Sequence, residues 1–206
     1  MQQPSRDELR EKLILTTIDR LDASGVNGVR ARDLASEVGC AVGTIYNLVG
    51  DLDNLILLAC ARTLEEFEVF ATSHFNEQEA KGATNLELLE SMAASYVDFA
   101  FLHHKRWQAA FEVSYEENSH FQQTYVSGQR QLLGLIVKTL LKINPDIDQR
   151  ELANIGRALW ASVHGIATLA MGNPKKVLTR EKVLQQCNRV IHPVAQSVAN
   201  RAKAEA

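Results

Sequence analysis

The sequence predicts an all-α protein of about nine helices, because three features of its 206 residues agree on this fold class. Apolar residues recur at helical spacing through most of the chain. Alternating strand patterns are missing, and the glycines and the four prolines fall mostly at breaks between periodic segments. We expect two helical domains, at residues 1–55 and 56–206.

The first helix is expected to begin at a capping box. Ser5 and Glu8 stand three residues apart, so each side chain can accept a hydrogen bond from the backbone N–H of the other. Gly25 and Gly28 are expected to end the helix. Its apolar stripe consists of Leu9, Leu13, Ile14, Ile18 and Leu21.

Two short helices follow at residues 31–38 and 42–48, and Gly39 supplies the turn between them. Gly50 breaks the chain, and Asp51 can cap the next helix. Thr84 and Glu87 form a second capping-box pattern, and Asp148 and Thr179 are further candidate caps. Six more helices are predicted at residues 52–78, 84–103, 106–113, 117–143, 148–172 and 179–201.

Charge alone argues against a nucleic-acid partner. The net charge is −3, and residues 1–55 contain fewer Lys and Arg than Asp and Glu, whereas DNA-binding domains usually carry a basic face. The three cysteines are widely spaced, which indicates a reducing compartment. We see no signal peptide and no apolar run of about 18 residues, so we expect a cytoplasmic protein without a membrane partner.

The pattern at residues 33–46 nevertheless indicates a DNA-binding motif, and it outweighs the argument from net charge. Two short helices around a glycine turn are typical of the helix-turn-helix, with Leu34, Ala35, Val38 and Ile45 as its internal core. The second helix would place its first turn against base edges in the major groove, with its N–H groups and hydroxyls facing phosphates. Its expected DNA-binding residues are Val42, Gly43, Thr44, Tyr46 and Asn47.

Residues 9–55 resemble the DNA-binding domain of TetR-type (tetracycline-repressor-like) regulators, through Leu34-Ala35, Gly39 and the run from Gly43 to Tyr46. The resemblance implies that residues 1–55 form a helix-turn-helix DNA-binding domain. It also implies that residues 56–206 form an all-helical regulatory and dimerisation domain, with a homodimer formed by the last two helices. Leu52 stands where a phosphate-binding Lys is frequent, and Arg30, in place of the usual capping Thr, could bind a phosphate instead. Arg32 is a further DNA-binding candidate. Other departures from the usual pattern are Asp22 in place of an aromatic residue, Ala41 in place of Ser and Val49 in place of Phe.

Trp160, His164 and Gly165 resemble the Trp-His-Gly signature of one TetR-type C-terminal domain class. Aromatic walls with a few polar tips are typical of a pocket for a small, mostly apolar effector. No cluster of Lys or Arg accompanies them, which disfavours a highly anionic effector. The alternative is a solid aromatic core. The candidate ligand-binding residues are Phe99, His103, Trp107, Phe111, Tyr115, Trp160 and His164.

The last two helices are apolar on more than one side, so one face can serve the core and another a second subunit. The alternative is a larger monomeric core. No phosphate loop, nucleophile elbow or His-Glu-x-x-His motif is present, and no cysteine pair has metal-ligand spacing. We therefore expect no enzyme, no cofactor and no metal. A helical adaptor protein without DNA binding, or less plausibly an enzyme, is the alternative to a regulator.

Overall fold

The structure, a computed structural model, describes residues 5–113, 120–172 and 178–201. In the helix that begins at His120, side chains are described from residue 126 onward, except that of residue 128. Within these ranges the chain forms nine α-helices and no strand, which confirms the predicted fold class. A short 3-10 turn at Val26–Gly28 joins the first two. The helices are α1 Arg6–Ser24, α2 Ala31–Val38, α3 Val42–Val49, α4 Leu52–Ala80, α5 Asn85–Leu102, α6 His104–Glu112, α7 His120–Ile143, α8 Gln149–Met171 and α9 Arg180–Arg201.

Both predicted capping boxes form. The Oγ of Ser5 accepts from the N–H of Glu8 at 3.2 Å, and a carboxylate oxygen of Glu8 accepts from the N–H of Ser5 at 2.7 Å. Thr84 and Glu87 repeat the arrangement at the start of α5. Asp148 accepts from two N–H groups in the first turn of α8. These bonds satisfy amides that the helix itself leaves without acceptors, so local side chains determine where these helices begin.

The residues group into two compact units. The first comprises Met1–Glu66 and His103–Gly128, and the second comprises Phe67–Leu102 and Gln129–Ala206. Helix α4 therefore contributes residues 52–66 to the first unit and 67–80 to the second. The two units are defined by which residues pack together. The expected boundary between residues 55 and 56 separates domains by function, and it stays a prediction.

The first unit has an aliphatic core beneath α1, α2 and α3. Leu13, Leu21, Leu34 and Ile45 are fully buried in it. Helix α6 packs on α1 in the same unit, where Trp107 is 2% exposed. Fully burying a Leu or Ile side chain contributes about 1.5–3 kcal/mol, so the aliphatic core determines how α1, α2 and α3 pack together.

The second unit is built mainly from α5, α8 and α9 together with the second part of α7. Gly156 lies where α8 meets α7, because a Cβ there would come within 3.3 Å of Leu133 and Val137. A neighbouring helix thus approaches this glycine closely. Asn144 is 1% exposed and donates its side-chain N–H to the carbonyl of Val198 at 2.9 Å, which ties the end of α7 to α9.

All three cysteines are free thiols. Burial raises the pKa of Cys60 to about 12 and that of Cys187 to about 11. Cys40, at the turn between α2 and α3, is half-buried. In the described part of the chain, no group of three or more His, Cys, Asp or Glu side chains could hold a metal ion.

Within the described ranges, no single helix is long and apolar enough to span a membrane. The consecutive helices Val42–Val49 and Leu52–Ala80, which are bent at the break between them, reach that length and composition only when they are taken together.

Candidate functional site

The helix-turn-helix in the first unit has the predicted internal core. Gly39 ends α2 with a φ of 81°, a left-handed conformation that glycine adopts without strain. The carbonyl of Ala35 accepts the N–H groups of both Gly39 and Cys40 at 3.0 and 2.9 Å, which closes the turn tightly. Leu34, Ala35, Val38 and Ile45 are buried, as expected for the crossing of two short helices.

The opposite face of α3 points away from this core. Tyr46 is 45% exposed, Asn47 and Gly43 are exposed, and Val42 and Thr44 are partly exposed. A Cβ added to Gly43 would meet no atom within 4 Å, so packing inside the protein does not require a glycine here. The structure therefore presents all five predicted residues of α3 on an accessible helix face; their contact with DNA stays a prediction.

The N-terminus of α3 carries no side-chain cap, because Ala41 at the N-cap offers no side-chain oxygen. Arg30 occupies the N-cap of α2 and likewise forms no capping bond. Arg30 and Arg32 are exposed and form no ion pair with any described residue. By contrast, Arg20 pairs with Glu37 at 3.0 Å. Arg30 and Arg32 are thus available cations in an acidic domain.

Arg6 was not predicted from the sequence as a site residue. Its Nη2 donates to the carbonyl of Asn47 at 2.8 Å, and it borders an open depression together with Leu9, Thr44 and Leu48. The first turn of α1 therefore places a cation beside the exposed face of α3. Only the scarcity of basic residues in this domain could have singled out Arg6 from sequence, since its neighbour lies 41 positions away.

In the second unit the residues Trp160 and His164 stack, with ring centroids 5.7 Å apart and planes 23° from parallel. The hydroxyl of Tyr96 on α5 lies 2.5 Å from Nδ1 of His164, a hydrogen bond between two helices. Burial lowers the pKa of His164, because desolvation disfavours the imidazolium. Tyr96 was also not predicted from sequence, although it lies on the same helix face as Phe99, three positions away.

A partly open cavity of about 50 Å³ in the second unit is lined by residues of α4, α5, α7, α8 and α9. Tyr96 and Trp160 line it, and both have polar atoms at the tips of aromatic rings. The other lining residues that the structure describes are apolar: Phe67, Ala71, Leu89, Met92, Ala93, Leu132, Ile136, Leu159, Val163 and Ile191.

The structure divides the predicted ligand-binding residues between the units. Phe99, Trp160 and His164 belong to the second unit, where Phe99 packs against Phe67 and Phe70 with ring centroids 5.2 and 5.9 Å apart. His103, Trp107 and Phe111 belong to the first, where Trp107 meets Phe111 edge to face at 4.8 Å. Tyr115 lies outside the described residues. As ligand contacts, all seven residues stay predictions. Of the six that the structure describes, Trp160 lines the cavity directly.

His103 lies next to charged side chains of the first unit. Its Nδ1 lies 3.3 Å from a carboxylate oxygen of Asp22, and the same oxygen lies 3.2 Å from Nε of Arg106. Arg106 is 5% exposed and also pairs with Glu66 at 2.8 Å. These four residues, called the Arg106 cluster below, belong to the first unit and bring together α1, α4 and the start of α6.

Comparison with known proteins agrees with the predicted resemblance. Residues 89–184 match the family model described as the tetracyclin repressor-like, C-terminal domain, a segment that includes Trp160, His164 and Gly165. A search of curated protein sequences finds no match.

Similar solved structures cover almost the whole chain. A protein from Mesorhizobium loti assigned to the TetR family of transcriptional regulators is 10% identical over 95% of this chain and 98% of that one, with a TM-score of 0.71. The regulator FadR from Bacillus subtilis, in complex with stearoyl-CoA, is 14% identical over 90% and 97%, with a TM-score of 0.66. RolR in complex with resorcinol is 15% identical over 95% of each chain, with a TM-score of 0.64. The chain thus shares the fold of these regulators.

Proposed function

We propose that this protein is a DNA-binding transcriptional regulator, because residues 89–184 match the model of the tetracyclin repressor-like C-terminal domain and the chain shares the fold of a TetR-family regulator. It binds a pseudo-palindromic operator as a homodimer, probes DNA with α3 and responds to a small, mostly apolar effector. A repressor is the expected type, acting in the cytoplasm where the DNA is. The observation that carries the proposal is the accessible Gly43, Tyr46 and Asn47 on α3, set against the fully buried Ile45 behind them.

The exposed face of α3 supports contact with a duplex for three reasons. Gly43 lets an outside surface come close to the helix backbone, because no Cβ stands in the way. The uncapped first turn of α3 directs N–H groups outward, which favours a phosphate. Tyr46 and Thr44 add hydroxyl donors suited to phosphate oxygens.

The acidic domain limits how much of the affinity can be electrostatic. The candidate phosphate contacts Arg6, Arg30 and Arg32 are few, and each contributes about −0.9 to the slope of log affinity against log salt. We therefore expect a shallow salt dependence for a DNA-binding protein, with a larger share of specificity from α3.

Helix α8 supports the dimer. Leu159 and Val163 lie on its buried face, whereas Ala158, Ala161 and Leu169 are exposed on the other, with Leu169 81% exposed. On α9, Val183, Cys187 and Ile191 are buried within the subunit and Val194 is half-buried. Two copies that join through α8 and α9 about a two-fold axis would place two α3 helices in successive major grooves, about 34–36 Å apart or a multiple of this.

The cavity of the second unit supports an effector, as do the ligands of two proteins of the same fold, stearoyl-CoA in FadR and resorcinol in RolR. Helix α4 contains residues of both units, so a ligand that shifts α4 can alter the N-terminal helices. The ligand must bind one conformation better than the other. A coupling of about 1–3 kcal/mol would change DNA affinity by roughly 5–150-fold.

Selection of duplexes from a random pool, followed by footprinting, tests the DNA-binding role. We expect an enriched motif with two-fold symmetry at low salt. An adaptor protein or an enzyme of this fold would retain no specific sequence, so the absence of any enriched motif would contradict the proposal.

A further inference from the structure

The open depression beside α3 lies within the first unit, between the first turn of α1 and one side of α3. Arg6 and Leu9 line it from α1, and Thr44, Asn47 and Leu48 line it from α3. Thr44 and Asn47 are also predicted DNA-binding residues, so the depression continues the exposed face of α3. Among the lining residues that the structure describes, Arg6 alone is charged.

The start of α1 fixes the backbone that carries Arg6. Arg6 is the first residue of the helix, directly after the N-cap Ser5. The capping box of Ser5 and Glu8 spans it, and the carbonyl of Ser5 accepts the N–H of Leu9 at 3.0 Å. The side chain of Arg6 therefore extends from ordered backbone, which reduces the conformational entropy that it loses when it binds an outside partner.

The other end of the Arg6 side chain is attached to α3. The carbonyl of Asn47 is one of the last four of α3, for which the helix itself supplies no donor. Nη2 of Arg6 donates to this carbonyl at 2.8 Å. A cation at this place also interacts favourably with the negative end of the helix dipole. The guanidinium thus has a fixed position relative to the exposed face of α3.

The bond to Asn47 leaves donors of Arg6 for a second acceptor. A guanidinium carries five N–H donors in a planar fork that matches the oxygens of a phosphate, and this bond uses one of them. Arg6 is exposed and forms no ion pair with any described residue. The acidic Asp7 and Glu8 follow it in the first turn of α1, so an anion gains from Arg6 chiefly by direct contact.

We propose that the depression holds one phosphate of the duplex backbone, which Arg6 binds with the donors that Asn47 does not use, and that Arg6 thereby sets the register of α3 on the operator. The inference rests on the proposed DNA-binding function and adds a specificity-determining residue to it. Phosphate contacts fix the register and orientation of a protein on the duplex, and base contacts then read the sequence. Because Arg6 is bonded to the helix that meets the bases, its phosphate contact constrains which bases α3 reaches.

Arg32 provides the comparison. It is exposed and forms no ion pair with any described residue, and it lies on α2 instead of beside α3. A phosphate bound by Arg32 adds attraction to every duplex alike. Loss of Arg6 should therefore reduce the preference for the operator, whereas loss of Arg32 should not.

Fluorescence anisotropy of the full chain tests this with the operator obtained by selection and with a scrambled duplex. For Arg6→Ala we expect the slope of log affinity against log salt to become shallower by about 0.9. Its affinity for the operator should fall about tenfold, as for a lost hydrogen bond to a charged group, and its affinity for the scrambled duplex should fall less. Arg32→Ala should change the slope by a similar amount and leave the ratio of the two affinities unchanged.

Arg6→Lys separates the charge of this residue from its geometry. The ammonium keeps the charge but replaces the planar fork by a single point of contact, so the slope should stay as in wild type while the preference for the operator falls. In a further series, methylphosphonate groups remove the charge of one operator phosphate at a time. One such position should weaken wild type about tenfold, Arg6→Lys less, and Arg6→Ala not at all.

The outcomes distinguish this inference from the function on which it rests. A wild type that prefers no duplex would overturn both. If wild type prefers its operator, an Arg6→Ala protein with an unchanged slope would overturn the inference alone, because Arg6 would then only hold the end of α3. A full operator preference in Arg6→Lys would likewise overturn the role in register. If Arg6→Ala fails to fold, equal costs at every methylphosphonate position for wild type and Arg6→Lys would overturn the phosphate contact.

Discussion

The guanidinium of Arg106 on α6 lies 3.2 Å from the carboxylate of Asp22 near the end of α1, and Arg106 is only 5% exposed. Lys105 donates to the carbonyl of Ala23 beside it. The end of α1 is therefore attached to α6 by charge as well as by packing.

Asp22→Asn should destabilise the protein, because Arg106 would keep a buried charge with one carboxylate partner fewer. The expected decrease is about 1–3 kcal/mol in the free energy of unfolding, below the value for a fully buried pair since Asp22 is 35% exposed. Urea denaturation measures it. Glu65→Gln is the matched control: it removes an exposed partner of Arg62 and should cost less. Equal decreases would show that the Arg106 cluster has no special stabilising role.

Gly43→Ala should separate folding from DNA binding. A Cβ fits at Gly43 without a contact, so the helical preference of alanine should raise stability by about 0.5–1 kcal/mol. Operator binding should weaken, because the added methyl group occupies space that the DNA approaches. Gly134→Ala on α7 is the control, since it also has nothing within 4 Å and should be stabilised without an effect on DNA. Equal operator affinity for wild type and Gly43→Ala would contradict close approach at α3.

Arg30→Ala should lower the salt dependence of operator binding. With one phosphate contact fewer, the slope of log affinity against log salt should become shallower by about 0.9. Fluorescence anisotropy at several salt concentrations measures this slope. Arg20→Ala serves as the comparison and should leave the slope unchanged, because Arg20 pairs with Glu37 and is not expected to contact a phosphate. A slope that falls for Arg20 but not for Arg30 would reverse the assignment.

His164 should make stability fall as the solution becomes acidic. Burial lowers its pKa in the folded state, so the unfolded chain binds the proton more readily and gains from it once the pH falls below the ordinary value of 6.5. We expect wild type to lose more unfolding free energy than His164→Asn between about pH 7.5 and about pH 5.5, a window above most carboxyl titrations. An identical decrease in both proteins would mean that His164 does not contribute.

Leu169→Glu should convert a dimer to a monomer. Leu169 is 81% exposed on α8, and a carboxylate there would be buried without a partner if α8 forms the subunit interface. Light scattering at micromolar concentration reads the mass. Val69→Glu, at a valine 71% exposed on α4, should leave the mass unchanged. A monomeric wild type that binds its operator tightly would exclude the proposed assembly.

Local patterns in the sequence predict where many of the helices begin and end, because these features depend on bonds between residues that are close in the sequence. The capping boxes at Ser5 and Thr84 involve residues three apart, and Gly39 needs only its own φ. The core and exposed face of α3 follow from helical period alone. These features require no knowledge of distant packing.

The cavity depends on distant packing and was only partly predicted. Helical period shows that Trp160 and His164 share a face, but not that Tyr96, 68 positions away, bonds to His164. It also cannot show that α6 packs on α1, which places Trp107 and Phe111 in the first unit. Which helix meets which is decided by the fit of side chains across the whole core, and a single sequence does not reveal that fit.

The burial of two cysteines makes the third a natural attachment point for a spectroscopic label. A thiol reacts as the thiolate, and the raised pKa values of Cys60 and Cys187 leave almost none at neutral pH. Cys40 is half-buried at the turn that leads into α3. A nitroxide attached there, with no residue replaced, would report by electron spin resonance the separation between two α3 helices in a dimer.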